Sequence, residues 1–136
     1  MNTYNKSLPV VTPESLPFWE GCRRHELLLQ RCARCGSFRL PPSVLCPECW
    51  DTDAEWTRVS GLGKIYSYVV YHRVYHPGWV DELPYVVALV ELAEGPRLFS
   101  NIVGADPKKM SCEMPVTVVF EDATPDLTLP KFRILQ

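Results

Sequence analysis

The chain has 136 residues, of which 46% are hydrophobic and 22% are charged, and its formal net charge is −2. This size and composition fit one compact domain or two very small ones. A nucleic-acid-binding domain usually carries a strongly basic face, so the near-neutral charge disfavours nucleic acid as a partner. The longest apolar run, residues 85–90, is too short to cross a bilayer, so we expect no membrane role.

The N-terminus has no apolar signal-peptide core, which predicts a cytoplasmic protein. A reducing compartment keeps thiols unpaired. The six cysteines are therefore expected to bind a metal, to take part in catalysis or to lie buried, rather than to form disulfides. The 13 prolines disfavour long helices and favour short strands joined by turns.

The first 26 residues predict an arm followed by one short helix. Residues 1–12 have no hydrophobic period and are expected to be extended. Ser15 can cap a helix whose first turn holds Pro17, and Phe18 and Cys22 lie on its apolar side. We therefore assign residues 1–26 to an N-terminal arm and short helix.

The next segment, residues 27–55, carries most of the cysteines. Residues 27–40 predict a small hairpin folded around one cysteine pair, and two prolines end it before a second cysteine pair. Residues 51–55 are expected to be a polar connection.

From residue 56 onward the sequence favours strands, because it is rich in Tyr and Val and is interrupted by glycines. Residues 76–84 are expected to be a loop, and residues 106–114 a loop with one helical turn. The predicted strands are residues 57–59 leading into 64–76, then 85–93, 97–103, 115–121 and 129–135.

About five such strands predict a mainly β fold in which residues 56–136 form a five-stranded OB-type barrel. An open sandwich would need more strands than the sequence offers.

Four cysteines form two C-x-x-C pairs separated by ten residues: Cys32 with Cys35, and Cys46 with Cys49. Two tight turns that face each other would present four thiolates, which is the tetrahedral set that structural zinc prefers. Rubredoxin-type iron uses the same turns, so the sequence does not separate zinc from iron. A thioredoxin-like redox site would need a βαβ unit, which the sequence does not predict. We predict a structural zinc ribbon with these four ligands and no catalysis at the metal.

The remaining candidates for chemistry are weaker. Cys22 and Cys112 are interpreted as buried small apolar residues, although His25 lies three residues after Cys22 and could act as a base. His72 and His76, with two acidic residues that follow them, could form an acid–base pair, but we interpret them as a polar strand end followed by a solvated loop. No hydrolase, P-loop or dinucleotide motif occurs, so we predict no catalytic residue.

An aromatic face is predicted along the second half of the chain. Such a surface with few charges suits a protein partner or an acyl chain. The basic pair Lys108 and Lys109 and the segment from Lys131 to Arg133 could meet the phosphates of coenzyme A. The residues that form the predicted aromatic face are Tyr66, Tyr68, Tyr71, Tyr75 and Trp79.

The order of these segments resembles a known family. The helix segment FWEGCRRHELLLQRC is followed by the two cysteine pairs and then by PYVVALVEL, RLFSNIVG, MPVTVVFE and LPKFR. This order resembles the acyl-CoA-associated OB-fold proteins with a rubredoxin-like zinc ribbon, known as domain of unknown function family 35. The resemblance covers nearly the whole chain, from about Glu14 to Arg133.

The resemblance implies a small non-catalytic subunit, or a domain fused to an enzyme, in acyl-CoA metabolism. It implies a thiolase-like enzyme as partner, in a hetero-oligomer that shares a site for CoA or β-ketoacyl-CoA. A free-standing acyl-CoA-binding or nucleic-acid-binding module is the alternative. Some family members begin with a helical hairpin, whereas Pro9 and Pro13 allow one helix here. The residues expected to meet CoA or the partner are His72, Arg73, Trp79, Tyr85, Lys131, Phe132 and Arg133.

Overall fold

The secondary structure comes from a computed structural model that describes Lys6 and residues 8–73 and 75–135. It is mainly β, with one short helix. The helix is α1 (Leu16–Arg23), and two 3₁₀ segments span Pro77–Glu82 and Pro107–Lys109. The strands are β1 (Leu28–Cys32), β2 (Phe38–Arg39), β3 (Ala54–Arg58), β4 (Leu62–Tyr71), β5 (Tyr85–Leu92), β6 (Arg97–Asn101), β7 (Pro115–Thr124) and β8 (Leu127–Ile134).

Helix α1 begins directly after Ser15, as predicted, and a proline occupies its first turn. The Ser15 side chain makes no capping bond to the helix; its hydroxyl instead exchanges hydrogen bonds with Thr12. The buried side of α1 includes Phe18 and Cys22, and the helix packs against β8 and β1. Burial of this apolar side stabilises an eight-residue helix that would not persist alone in water. No helix in residues 8–73 and 75–135 is long and apolar enough to cross a membrane.

The ribbon is a three-stranded antiparallel sheet in the order β2-β1-β3. Strands β1 and β2 form the predicted hairpin around the first cysteine pair. The polar connection expected at residues 51–55 is shorter than predicted, because Ala54 and Glu55 already belong to β3 and pair with β1. Glu55 is exposed and Trp56 is half-buried. One face of β3 is therefore exposed to solvent, which explains why this segment looks polar in the sequence. β3 thus extends across the boundary, between residues 55 and 56, that was predicted to separate the ribbon from the barrel.

The second sheet has five antiparallel strands in the order β6-β5-β4-β7-β8. Strand β5 shows the predicted alternation, with Val86, Ala88, Val90 and Leu92 buried. The two edge strands approach each other through a parallel bridge between Ile102 and Phe132, and the Val103 N–H donates to the Phe132 carbonyl at 2.8 Å. The sheet is therefore of the predicted OB type, but in the described residues its edges are joined at one bridge rather than closed by a continuous ladder.

A β-bulge divides the predicted aromatic face into separate parts. The register of β4 against β5 shifts between Ile65 and Ser67, so the side-chain alternation changes there. Tyr68 packs against the core and its hydroxyl donates to the Met110 carbonyl at 3.0 Å. Tyr66 lies outside, where the Arg97 guanidinium sits 3.8 Å from its ring centre. The aromatic residues of β4 therefore do not form one surface.

One hydrophobic core joins the helix, the ribbon and the five-stranded sheet. Cys22 from the helix and Leu27 and Leu29 from the ribbon segment belong to the same buried cluster as Ile65 and Phe132 from the sheet. Each of these side chains is at most 2% exposed. The shared core holds the ribbon and the sheet in a fixed relation.

Candidate metal centre and adjoining surface

The four cysteines predicted as ligands come together at one end of the ribbon, and their sulfur atoms all lie within 4.8 Å of one another. Cys32 Sγ is 3.5 Å from Cys49 Sγ, and Cys35 Sγ is 3.6 Å from Cys46 Sγ. Tetrahedral zinc with bonds of about 2.3 Å to sulfur would separate its ligands by about 3.8 Å. The donor set and its spacing therefore fit a tetrahedral thiolate-bound metal ion.

The two C-x-x-C turns share one backbone geometry. We call residues 32–36 the first knuckle and residues 46–50 the second knuckle. The Gly36 N–H donates to the Cys32 carbonyl at 3.0 Å, and the Trp50 N–H donates to the Cys46 carbonyl at 2.9 Å. Both donors have positive φ, 77° for Gly36 and 67° for Trp50. Glycine adopts this conformation without strain, whereas another residue pays roughly 1–2 kcal/mol.

Hydrogen bonds around the sulfur atoms prepare them for a cation. The Cys35 N–H lies 3.5 Å from Cys32 Sγ, and this amide lowers the pKa of Cys32. The Ser37 hydroxyl, 3.4 Å from Cys46 Sγ, is the main cause that lowers the pKa of Cys46 to about 6. The Asp51 amide acts the same way on Cys49, but burial and the three neighbouring thiols outweigh it and raise the pKa of Cys49 to about 12. Two of the four thiols are thus disposed to ionise before a metal binds.

A metal ion bound to these four cysteines would supply folding energy. Four protein ligands complete the tetrahedral shell and leave no position for water or substrate. The centre therefore fits a structural role.

A second feature is a stacked aromatic cluster at the far end of β4. The β4–β5 register places Tyr71 opposite Tyr85, and their ring centres are 5.0 Å apart. Trp79, from the 3₁₀ segment, also stacks on Tyr85, and their ring centres are 4.2 Å apart. Three cavities of about 740, 620 and 260 Å³ meet here, and Trp79 and Asn101 line all three.

Lys131 lies beneath this aromatic cluster. It is 8% exposed, its Nζ donates to the Asn101 side-chain carbonyl, and it lies 5.4 Å from the Trp79 ring centre. Burial lowers the pKa of this ammonium group. Sequence reasoning did not identify Asn101, because a single polar residue at the end of a strand carries no motif.

The structure brings together some of the residues predicted to meet CoA or a partner, and separates others. Trp79, Tyr85 and Lys131 line one continuous region. His72 and Arg73 are exposed just beyond the end of β4.

The other two residues of this set lie elsewhere. Arg133 is exposed and lines a different cavity of about 980 Å³, together with Lys109. Phe132 is 0% exposed and belongs to the hydrophobic core, so its side chain offers no surface to a ligand. The physical reason is that the Phe132 side chain points from β8 into the core.

The surroundings of Cys22 do not support a role for it as a nucleophile. Cys22 is 0% exposed, and burial raises its pKa to about 12. The His25 ring instead contacts the Asp122 carboxylate at 3.0 Å and stacks on Phe120. Cys112 is exposed, so the expectation that it would be buried is wrong. Cys112 lies between Ser111 and Glu113 in the loop before β7, and those two neighbours are exposed as well.

His76, one of the two histidines considered as an acid–base pair, has a structural role instead. His76 precedes the 3₁₀ segment, and its Nδ1 accepts a hydrogen bond from the Gly78 N–H at 3.0 Å. This bond fixes the turn that carries Trp79 and occupies the nitrogen that would otherwise act as a base.

Two family models match the chain. The rubredoxin-like zinc ribbon domain of ChsH2 matches residues 19–55, and the C-terminal OB-fold domain of ChsH2 matches residues 56–121. In a solved structure described as the Ltp2-ChsH2(DUF35) aldolase, one chain is 42% identical to this one. The TM-score is 0.85, and the match covers 93% of this chain and 98% of that chain.

Several curated proteins are similar as well. A probable enoyl-CoA hydratase alpha subunit from Thermomonospora curvata is 43% identical over 92% of this chain, but the chain spans only 39% of its length. A DUF35 domain-containing scaffold protein from Methanocaldococcus jannaschii is 38% identical, covering 71% of this chain and 69% of that protein. The benzoylsuccinyl-CoA thiolase subunit BbsA from Thauera aromatica is 31% identical over 61% of this chain and 55% of its own length.

Proposed function

Because the chain belongs to the DUF35 family of ChsH2-type zinc-ribbon and OB-fold proteins, we propose that it is a non-catalytic accessory subunit of a thiolase-type complex. Such a complex would be an acyl-CoA acyltransferase or an aldolase. In it, this chain would support assembly and help to bind CoA or a β-ketoacyl-CoA substrate.

The observation that carries this proposal is the likeness to the ChsH2(DUF35) chain of a solved aldolase complex, at 42% identity and a TM-score of 0.85. The names of other relatives point the same way, since one is a thiolase subunit and another a scaffold protein. A scaffold needs a rigid frame, and the core shared by the ribbon and the sheet supplies one.

The substrate would lie against the aromatic cluster. The 740 Å³ cavity has mainly apolar walls, to which Leu8, Phe18 and Leu98 contribute, and it suits an acyl chain or a pantetheine arm. Lys131 also lines this cavity; its ammonium group donates one hydrogen bond to Asn101 and would have further N–H groups to donate to a substrate carbonyl. The exposed Arg73 side chain would meet a phosphate or an acidic group of the partner.

The chain would leave the chemistry to its partner. The metal centre has no open position, and Cys22 is buried with a raised pKa. No nucleophile–base pair occurs at the aromatic cluster among the residues that the structure describes. We therefore propose that the isolated subunit has no turnover.

A second candidate partner is a hydratase subunit, because one relative at 43% identity is named as an enoyl-CoA hydratase alpha subunit. The chain corresponds to a part of that protein only. In this reading the ribbon and OB portion would work together with a hydratase.

The test is purification of the tagged chain from its native host, with mass spectrometry of the proteins that remain bound. We expect a thiolase-type subunit in a fixed ratio to the chain. A hydratase in its place would favour the second candidate. Recovery of the chain alone, with acyl-CoA binding in calorimetry, would contradict both and favour a free-standing binding module.

A further inference from the structure

An exposed apolar tip stands on the second knuckle, away from the aromatic cluster that the proposed function uses. Trp50 is 75% exposed, Val44 60% and Leu45 47%. The backbone bonds between Cys46 and residues 50 and 51 hold the segment before the knuckle beside the segment after it. We call Val44, Leu45 and Trp50 the ribbon tip.

The position of Trp50 is unfavourable for folding alone. Its backbone has a φ of 67°, where a bulky side chain is strained, and the matching position of the first knuckle holds Gly36. The Trp50 indole makes no hydrogen bond or ring contact with any residue of the described chain. Neither the backbone nor internal packing accounts for a tryptophan here, whereas exposed tryptophans are favoured anchors of protein interfaces.

Charge indicates what kind of surface would cover this tip. Glu48, Asp53 and Glu55 are exposed around the second knuckle and β3, and Asp51 is half-exposed. Four thiolates around one divalent metal ion add a formal charge of −2. The exposed Arg31 lies directly opposite Glu55 in the β1–β3 register, and the exposed Arg34 offsets one further charge, so the charges of Glu48, Asp51 and Asp53 are offset only in part. The ribbon tip is therefore an apolar patch with an acidic rim.

We propose that the ribbon tip docks into an apolar recess with a basic rim on the thiolase-type partner, with Trp50 as the anchor. This inference rests on the proposed function and names the surface through which this chain binds. An acidic rim would be repelled by nucleic acid and by anionic lipid. Two copies of the tip would repel each other for the same reason, so a protein partner of opposite charge is the occupant that the charges favour.

The test uses the full-length, metal-loaded chain and the thiolase-type subunit that co-purifies with it. W50G removes the indole and leaves the residue that the positive φ prefers, so its fold should be at least as stable as that of the wild type. We expect W50G to raise the Kd for the partner about 30-fold or more. The matched control is V69T, which reduces the apolar surface of another exposed residue, on β4, and should change the Kd less than about twofold.

A second pair of measurements tests the charge. The double variant E48Q/D53N should weaken binding several-fold at low salt, and should bind like the wild type at about 0.5 M salt, where screening removes the difference. No effect at low salt would contradict the basic rim.

Other outcomes separate this inference from the proposed function. If the wild type binds the thiolase-type subunit and W50G binds equally well, the docking inference is wrong and the proposed function stands. If W50G loses its metal to a chelator faster than the wild type, Trp50 shields the metal and the anchor role is wrong. Self-association or vesicle binding that W50G abolishes would also overturn it. If no thiolase-type subunit binds the wild type, both proposals fall.

Discussion

Cys32 Sγ and Cys49 Sγ lie 3.5 Å apart, although the two cysteines are 17 positions apart in the chain. Cys32 ends β1, and the same strand carries Leu29 into the core that the ribbon shares with the five-stranded sheet. The second knuckle and the two residues before it have few buried side chains, since Cys46 is buried but residues 44, 45, 47, 48 and 50 are exposed. Its position therefore depends on the sulfur atoms and what they bind.

The first prediction concerns the metal ligands. Cys35→Ala should abolish stoichiometric metal and unfold residues 27–50, because structural zinc sites contribute about 10 kcal/mol or more in small modules and this exceeds what the ribbon's packing can replace. Metal analysis of the purified variant and amide hydrogen exchange of the ribbon would measure this. Cys112→Ala, at an exposed cysteine outside the site, is the control and should keep its metal. Normal metal content in Cys35→Ala would disprove the assignment.

The second prediction concerns the pH dependence of metal binding. The pKa of Cys49 is raised to about 12, so this thiol is protonated in the metal-free ribbon at neutral pH and must release its proton to bind the metal. The pKa of Cys46 is lowered to about 6, so Cys46 is already ionised there. Apparent metal affinity should therefore rise at least about tenfold from about pH 7 to about pH 8. Chelator competition measures the affinity, and an affinity that does not change with pH would contradict this account.

The third prediction concerns the two cysteines outside the metal centre. In the native, metal-loaded protein Cys112 should react readily with iodoacetamide, because it is exposed. Cys22 should react only after denaturation, since it is 0% exposed and its pKa is raised to about 12. Peptide mapping by mass spectrometry would locate the label. Rapid native labelling of Cys22 would revive a nucleophilic role for it.

The fourth prediction concerns the aromatic cluster. Trp79→Ala should weaken acyl-CoA binding by the assembled complex about tenfold or more, because Trp79 lines all three cavities that meet there. Tyr66→Ala is the matched control, since Tyr66 is aromatic but lies under Arg97 outside the cluster. Calorimetry with the reconstituted complex measures both variants. Equal weakening by the two substitutions would argue against a specific site at Trp79.

Much of the architecture follows from local sequence signals. The two C-x-x-C pairs set the knuckles, and the alternation along β5 set its buried face, because both patterns depend on residues close together in the chain. The pairing of β3 with β1 was not predictable in the same way, since Ala54 and Glu55 look like a polar connection until a partner strand is known. The bulge between Ile65 and Ser67 likewise depends on the facing strand.

The candidate site was predictable in part. Cysteine spacing predicts the metal ligands, because thiolates have few other reasons to recur in that pattern. Lys131 and Phe132 are adjacent in a basic and aromatic segment, yet one lines a cavity and the other fills the core, because side chains alternate along β8. The exposed position of Trp50 was also not predictable, since tryptophan is highly buried on average and a positive φ at this residue is not evident from its type.

The central claim is that this chain acts as an accessory subunit of a thiolase-type enzyme. The most direct test compares three samples in one acyl-CoA assay: the chain alone, the co-purified thiolase-type subunit alone, and the two reconstituted. We predict no turnover by the chain and a clear gain in activity or stability of the partner when the chain is added. Turnover by the chain alone, or a partner that is fully active alone and does not co-purify, would contradict the claim.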